Sequence, residues 1–324
     1  MCLPVRLPTI HDIAWNCGAA GRSDGLMNTD EALRAHPACC LCALRGRRRF
    51  TALLAGGGLA LANGAVAQEG VQGDVGSTSR FAKIISADQI EASATQQYAQ
   101  LAQQAAAKGE LAPADHPQVL RLRAIARRII PFTPPWNERA RQWRWSVNLL
   151  ISPQVNAFCM PGGKIAFYSG ILQKLQLSDD EVATIMGHEV AHALREHARA
   201  RMGKSAATRG VIEIGSALLG LGNGSRLLAD MGGQLLTLKF SRDDETEADI
   251  VGMDLAARAG YDPAAGVTLW QKMLAASKSS PPQWMSTHPS GDTRIHDIQA
   301  KLPKVQPLFE RAEKPLQRFG PPAT

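Results

Sequence analysis

Residues 177–201 read LSDDEVATIMGHEVAHALREHARAR, and the rest of the chain is arranged about this stretch. Ser178 followed three residues later by Glu181 is a capping-box start, and Asp179 and Asp180 suit the positive end of a helix dipole, so a helix is predicted to begin here. Leu177, Val182, Ile185, Met186, Val190 and Leu194 recur at helical spacing and supply a face to bury. Within that helix His188 and His192 lie one turn apart, so their imidazoles share a side and can grip one metal ion. Glu189 beside them has a carboxylate free to activate a bound water. Two histidines and a glutamate on an otherwise apolar helix would be costly to bury without such a partner, since uncompensated polar groups cost several kcal/mol.

Two histidines leave such a site incomplete, because a catalytic zinc takes three protein ligands and a water. A metzincin arrangement would need glycine at position 195 and histidine at 198, and Arg195 and Ala198 exclude it. A gluzincin arrangement needs a glutamate on a second helix downstream, and SRDDETEAD at 241–249 offers one. Glu245 and Asp249, four apart, face the same way on a helix predicted to run to Ala259. Glu245 can bind metal there, and Asp249 can accept a hydrogen bond from a ligand histidine and fix its tautomer. Glu247 points about 200° away around that helix and reads as part of a solvated face. Asp243 and Asp244 read as capping charges. His197, five residues after His192, is expected to project off the ligand side, as a structural or an exposed residue.

From Trp143 the period changes. Trp143, Trp145, Val147 and Leu149 alternate with Arg144, Ser146 and Asn148, a half-buried strand, and residues 155–160 and 164–168 form two more about the turn Pro161-Gly162-Gly163. The expected fold is α+β, mainly α, with a small antiparallel sheet beside the central helix. In zinc peptidases an edge strand next to the metal holds extended peptide through backbone hydrogen bonds. VNAFCM at 155–160 is the candidate, with Asn156, Ala157 and Phe158 in its middle; a plain core strand is the competing reading. Upstream, 88–108 is a Gln/Ala-rich helix, and 117–130 is a second with Val119, Leu122, Ile125 and Ile129 inward. Its arginines read as a solvated face, with membrane or acidic-partner contact as the lesser alternative. These helices, as residues 87–142, are expected to pack on a catalytic domain at 143–302, with 303–324 a C-terminal tail. The apolar, Gly-punctuated stretch 203–221 is expected to be a core helix or a flap over the cleft.

The chain has 324 residues and a net charge of +7, to which its first 67 residues contribute disproportionately. No Lys/Arg stripe with interleaved aromatics occurs, which argues against nucleic-acid binding. RGRRRF at 45–50, the apolar run after it and the triplet Ala65-Val66-Ala67 read as a secretory signal, placing residues 1–67 in a leader (27–67 the signal itself) with cleavage after Ala67. The arginines before Phe50 are similar to a twin-arginine signal. A membrane anchor is the minority alternative, and Met27 reads as a second candidate start. Residues 68–86 read as a flexible linker. Five of the six cysteines precede the cleavage point, leaving Cys159 alone, so stability is expected from the core and a metal rather than from disulfides. A periplasmic protein, with peripheral membrane contact possible, is the expectation.

HEVAH followed by SRDDETEAD, with NAFCMPGGKIAFYSGIL before and STHPSGDTRI after, resembles the HtpX- and BepA-like zinc metallopeptidases, relatives of the CAAX prenyl proteases. The resemblance runs over residues 143–302. It implies a zincin-like fold and one zinc per chain held by His188, His192 and Glu245, with Glu189 as general base. It also implies that His288 takes the fourth zinc position and keeps the enzyme latent, against a bare surface-loop reading suggested by Pro289 and the Ser/Thr neighbours. Arg294 matches an arginine that can help stabilise the transition state. The long repeat domain and the multiple membrane helices of other relatives are not expected here. The implied activity is hydrolysis of polypeptides by metal-activated water, with misfolded envelope or outer-membrane proteins as the implied substrates. The rival is a periplasmic holdase or assembly factor whose zinc is structural or latent.

Overall fold

Serine caps start both helices that matter most. Ser178 Oγ accepts from the Glu181 amide while the Glu181 carboxylate accepts from the Ser178 amide, and Ser241 and Asp244 form the same reciprocal pair 63 residues further on. The structure, a computed structural model, describes residues 70–209, 235–277, 282–288 and 293–322. The leader read at 1–67, Pro289 and residues 210–221 of the Gly-punctuated stretch lie outside the described residues.

Among the described residues the α-helices are, in chain order, α1 (Ala87–Ala107), α2 (Pro117–Ile129), α3 (Ser169–Lys174), α4 (Asp179–Leu194), α5 (His197–Arg209), α6 (Arg242–Arg258), α7 (Ala265–Ser277), α8 (Gln283–Thr287) and α9 (Arg294–Arg311). The strands, β1 (Ser146–Leu150), β2 (Ala157–Met160) and β3 (Lys164–Tyr168), fall between α2 and α3. The described residues are mainly helical with one small sheet, as expected. The sheet itself is mixed rather than wholly antiparallel. β2 and β3 form the anticipated antiparallel hairpin, turning through Gly162 and Gly163 at φ 80° and 74°, but β1 pairs in parallel with β3, in the order β1-β3-β2. Alternation in a sequence assigns side chains to faces and leaves the choice of neighbour open, which is why the parallel pairing was not readable.

β1 also departs from the half-buried strand its alternation predicted, because Ser146 and Asn148 are buried along with the apolar residues. Its outer edge is closed by residues 110–112: the Ala112 amide donates to Leu149 O and the Ile151 amide to Glu110 O. Tyr98 of α1 donates from its hydroxyl to Ile165 O at 2.5 Å, fastening α1 to β3. β2 is therefore the sheet's other edge.

Every residue of α4 except Asp180 is buried. A helix buried all round needs partners on all sides, and β2, α2, α6 and α7 supply them. Against α6 the approach is backbone to backbone. A Cβ on Gly187 would lie 2.6 Å from Gly252 O, and one on Gly252 would lie 2.6 Å from the His188 amide nitrogen. Glycine at both positions lets the two helices come this close.

At the N-terminus of α4, Arg121 of α2 is fully buried and donates to Asp179 at 2.6 Å and to Leu177 O at 2.7 Å. Replacing Arg121 with Met is expected to lower stability by about 3 kcal/mol, the low end for breaking a buried pair, since Asp179 keeps the Phe319 amide at 2.7 Å. Urea denaturation checks this, and an unchanged midpoint would refute it.

The segments flanking the core are packed against it. Val71, in the stretch read as a linker, is fully buried, Asp74 pairs with Lys301 and Lys304, and Arg195 donates to Gly76 O. The predicted boundary at 302 falls inside α9, and beyond that helix Arg318 pairs with Asp180. Among the described residues no helix is long and apolar enough to cross a membrane.

Candidate metal centre

α4 carries His188, Glu189 and His192 inward, α6 brings Glu245 opposite, and His288 follows directly after α8. All five side chains are only 2% or 3% exposed. His188 Nε2 lies 3.0 Å from His192 Nε2 and 3.3 Å from His288 Nδ1. Glu245 Oε1 lies 3.0 Å from His288 Nδ1 and 3.5 Å from His192 Nε2, and Glu245 Oε2 lies 3.5 Å from His188 Nε2. One donor atom from each of the four lies within 4.8 Å of all the others.

This donor set fits zinc. Arms of about 2.0–2.1 Å in a tetrahedron put neighbouring donors about 3.3 Å apart, and the closest pairs of donor atoms lie 3.0–3.5 Å apart with the whole set within 4.8 Å. Three imidazoles and a carboxylate are also the ligand chemistry zinc prefers. Glu245 Oε2 makes no well-directed hydrogen bond although it is buried, with Arg294 Nη1 2.8 Å away as an ionic neighbour. A buried carboxylate oxygen left in this state is suited to a cation.

Behind the donors, Asp249 Oδ1 is 2.9 Å from His188 Nδ1, the contact expected from its spacing on the helix. Burial pulls the His188 pKa down, but the hydrogen bonds to Asp249 and Glu245 outweigh it and push it up to about 9. For His192 burial dominates and its pKa is lowered. Arg294 grips Asp249 with two bonds of 2.5 and 2.8 Å, reaches Glu245, and lies over the Trp270 ring at 4.0 Å. Burial raises the pKa of Asp249 and of Glu245, yet Arg294 for Asp249 and the hydrogen bonds to His188 and His288 for Glu245 outweigh it and hold each carboxyl below its usual range. The Arg294 guanidinium is thus held by these two carboxylates, behind the donor atoms.

Glu189 Oε1 accepts from the indole Nε1 of Trp284 at 2.6 Å, and Trp284 stacks on His288 with centroids 4.8 Å apart. Nothing local in the sequence marks Trp284, because its role depends on α8 reaching across to α4. A cavity of about 250 Å³ opens beside Glu189, His192 and His288, and its wall includes Ala157 and Phe158 of the β2 edge and Asn156 just before it. His288 sits in the buried cluster rather than on an exposed loop.

One sequence expectation fails beside the end of α4. Glu247 is not on a solvated face: its side chain is 25% exposed and accepts from Arg195 and from His197. His197 takes the structural one of its two readings, buried, outside the donor group and 2.9 Å from His192, ring nitrogen to ring nitrogen. Its place follows from a break in the helix. Glu196 adopts φ 56°, so α5 starts in a new direction and carries His197 back over His192, where an unbroken helix would have turned it away.

A buried helix with paired histidines, completed by a glutamate from a second helix, defines a zinc metallopeptidase centre. The model for Peptidase family M48 matches residues 118–302, more than half of the chain, and the chain belongs to that family, whose members are zinc metalloendopeptidases. The match takes in α2 as well as the region from β1 onward. The chain is similar to the mitochondrial metalloendopeptidase OMA1 of Schizosaccharomyces pombe, 33% identical over 204 residues, covering 62% of this chain and 58% of the relative. It is 38% identical over 154 residues to its namesake in Arabidopsis thaliana, covering 46% and 30%. It is 28% identical over 176 residues to the Beta-barrel assembly-enhancing protease of Escherichia coli, covering 51% and 36%. The chain thus spans less than two thirds of the length of each of these curated relatives.

Proposed function

We propose that this chain hydrolyses peptide bonds in misfolded polypeptides after export to the periplasm, as part of envelope quality control. One observation carries the reading: side chains from three separate segments bring four donor atoms to zinc spacing next to a buried carboxylate and a cavity edged by a strand. His188, His192 and Glu245 are the ligands, Glu189 is the general base, and Asp249 holds the tautomer of His188. The leader read from the sequence supports export, and the relative named for beta-barrel assembly supports substrates among envelope and outer-membrane proteins.

Zinc, when bound, supplies Lewis acidity that lowers the pKa of a water and polarises the scissile carbonyl. The residues do the rest. The edge of β2, at Asn156, Ala157 and Phe158, holds the substrate as an added strand. Glu189 takes a proton from the attacking water as its oxygen adds to the carbonyl carbon, and returns it to the amine as the C–N bond breaks. Arg294 keeps Asp249 and Glu245 in place throughout. Cleavage of casein by the full chain, abolished by a chelator and restored by zinc, tests this. A holdase with a structural zinc would protect clients and leave casein intact.

His288 occupies the place where a fourth ligand belongs, and Trp284 occupies the Glu189 carboxylate, so α8 and the residue after it close the centre from one side. In this reading the enzyme rests in a latent form. His288→Ala is expected to raise casein cleavage several-fold with one zinc retained per chain; no rise would remove the latch.

A further inference from the structure

The two ligand histidines of α4 have their second ring nitrogens tied to α6 by different routes. His188 Nδ1 meets the Asp249 carboxylate directly at 2.9 Å. His192 Nδ1 meets His197 Nδ1 at 2.9 Å, and His197 Nε2 meets Glu247 Oε2 at 2.8 Å. The protons in this row follow from one requirement. If His192 offers a lone pair at Nε2, its proton sits on Nδ1 and is donated to His197 Nδ1, which leaves the His197 proton on Nε2, donated to Glu247. Glu247 is fixed in turn by Arg195, Nε to Oε1 at 2.7 Å and Nη2 to Oε1 at 2.6 Å.

We propose that His197 and Glu247 are positioning residues for His192, setting its tautomer and ring plane through an imidazole–carboxylate relay where His188 uses a carboxylate alone. The relay rests on His192 being a zinc ligand. Two features make it necessary. Glu247 is two residues from Glu245, on a different face of α6 from the ligand carboxylate, so it cannot reach His192 itself and needs an intermediary. Phe240 packs tilted against the His192 ring, 4.0 Å between centroids and 30° between planes, and offers packing but no hydrogen bond to choose a tautomer. The helix break at Glu196 delivers the intermediary.

The test measures zinc affinity of the full chain by competition with a chromophoric chelator. His197→Phe keeps the aromatic bulk but can neither accept from His192 nor donate to Glu247; it is expected to weaken zinc binding about 10- to 100-fold, the usual cost of losing such support. His197→Gln, whose amide oxygen can accept and whose amide nitrogen can donate, is expected to restore most of that affinity. Merely filling space would not distinguish the two in this direction. Equal affinity in Phe and Gln variants, or wild-type affinity in the Phe variant, overturns the relay. If the Phe variant does not fold, Glu247→Ala decides: a loss of about tenfold supports the relay, and wild-type affinity overturns it. One zinc per wild-type chain that is lost in His192→Ala shows the ligand assignment to be sound, so that a negative result then falls on the relay alone. Absence of that zinc would instead sink the assignment.

Discussion

Glu189→Gln is expected to keep one zinc per chain while lowering peptide hydrolysis about a thousandfold, within the range found for loss of a general base. The substitution suits the question because the amide has the shape of the carboxylate and its oxygen can still accept from the Trp284 indole, so the packing around the site survives. It removes only the basic oxygen that accepts a proton from water. His192→Ala, by contrast, is expected to lose metal and activity together. On the latent reading proposed above the wild type has little activity to lose, so the comparison is best made in chains that also carry His288→Ala. Zinc content and casein turnover, measured side by side, decide it; a Gln variant that cuts at a substantial fraction of the parental rate would take the base role from Glu189.

Arg294→Ala is expected to lower the stability of the zinc-free protein by about 3–5 kcal/mol, since it strands two carboxylates that the fold has taken out of water. Arg294 is 5% exposed, Glu245 is 2% exposed, and the guanidinium serves Asp249 with two bonds. Zinc changes the outcome in a diagnostic way: a bound cation compensates Glu245, so the penalty should shrink when metal is supplied. Acid should also act differently on the two proteins. Burial raises the Asp249 pKa, but Arg294 outweighs it and holds the carboxyl below its ordinary range in the folded wild type, so this contribution is present above the unfolded carboxylate pKa and lost as pH falls through the depressed folded value. The Ala variant should therefore show a shallower loss of stability on the acid side. Urea titrations at several pH values, with and without zinc, read both effects. An Ala variant as stable as the parent would mean that Arg294 does not support the centre.

How much of this was legible follows from how local each signal is. The His188 and His192 pair depends only on helical spacing, and Glu245 with Asp249 on the same spacing in a second helix, so both were readable before any coordinates. The caps at Ser178 and Ser241 were readable for the same reason. Glu247 was misread because its partners, Arg195 and His197, belong to a distant segment, and the one left-handed residue at 196 decides where His197 points. Trp284 and the parallel pairing of β1 with β3 depend on which distant segments become neighbours, and no short-range pattern encodes that. Arg294 was found by resemblance but its carboxylate partners were not, since sequence shows that a cation is present without showing which anions hold it.

The glycine pair at 187 and 252 has a consequence for how this protein can vary. His188 is the next residue along from one member, and Asp249 and Glu245 lie one and two turns of helix from the other, so the tolerances of the chemistry are set at a point where no side chain intervenes. One added methyl group there would wedge the helices apart and widen the gap between imidazoles and carboxylate, while leaving most of the interior able to assemble. Such a variant would be a folded protein with a weakened grip on its ion, and drift in sequence at these two sites should be far narrower than their lack of functional groups suggests.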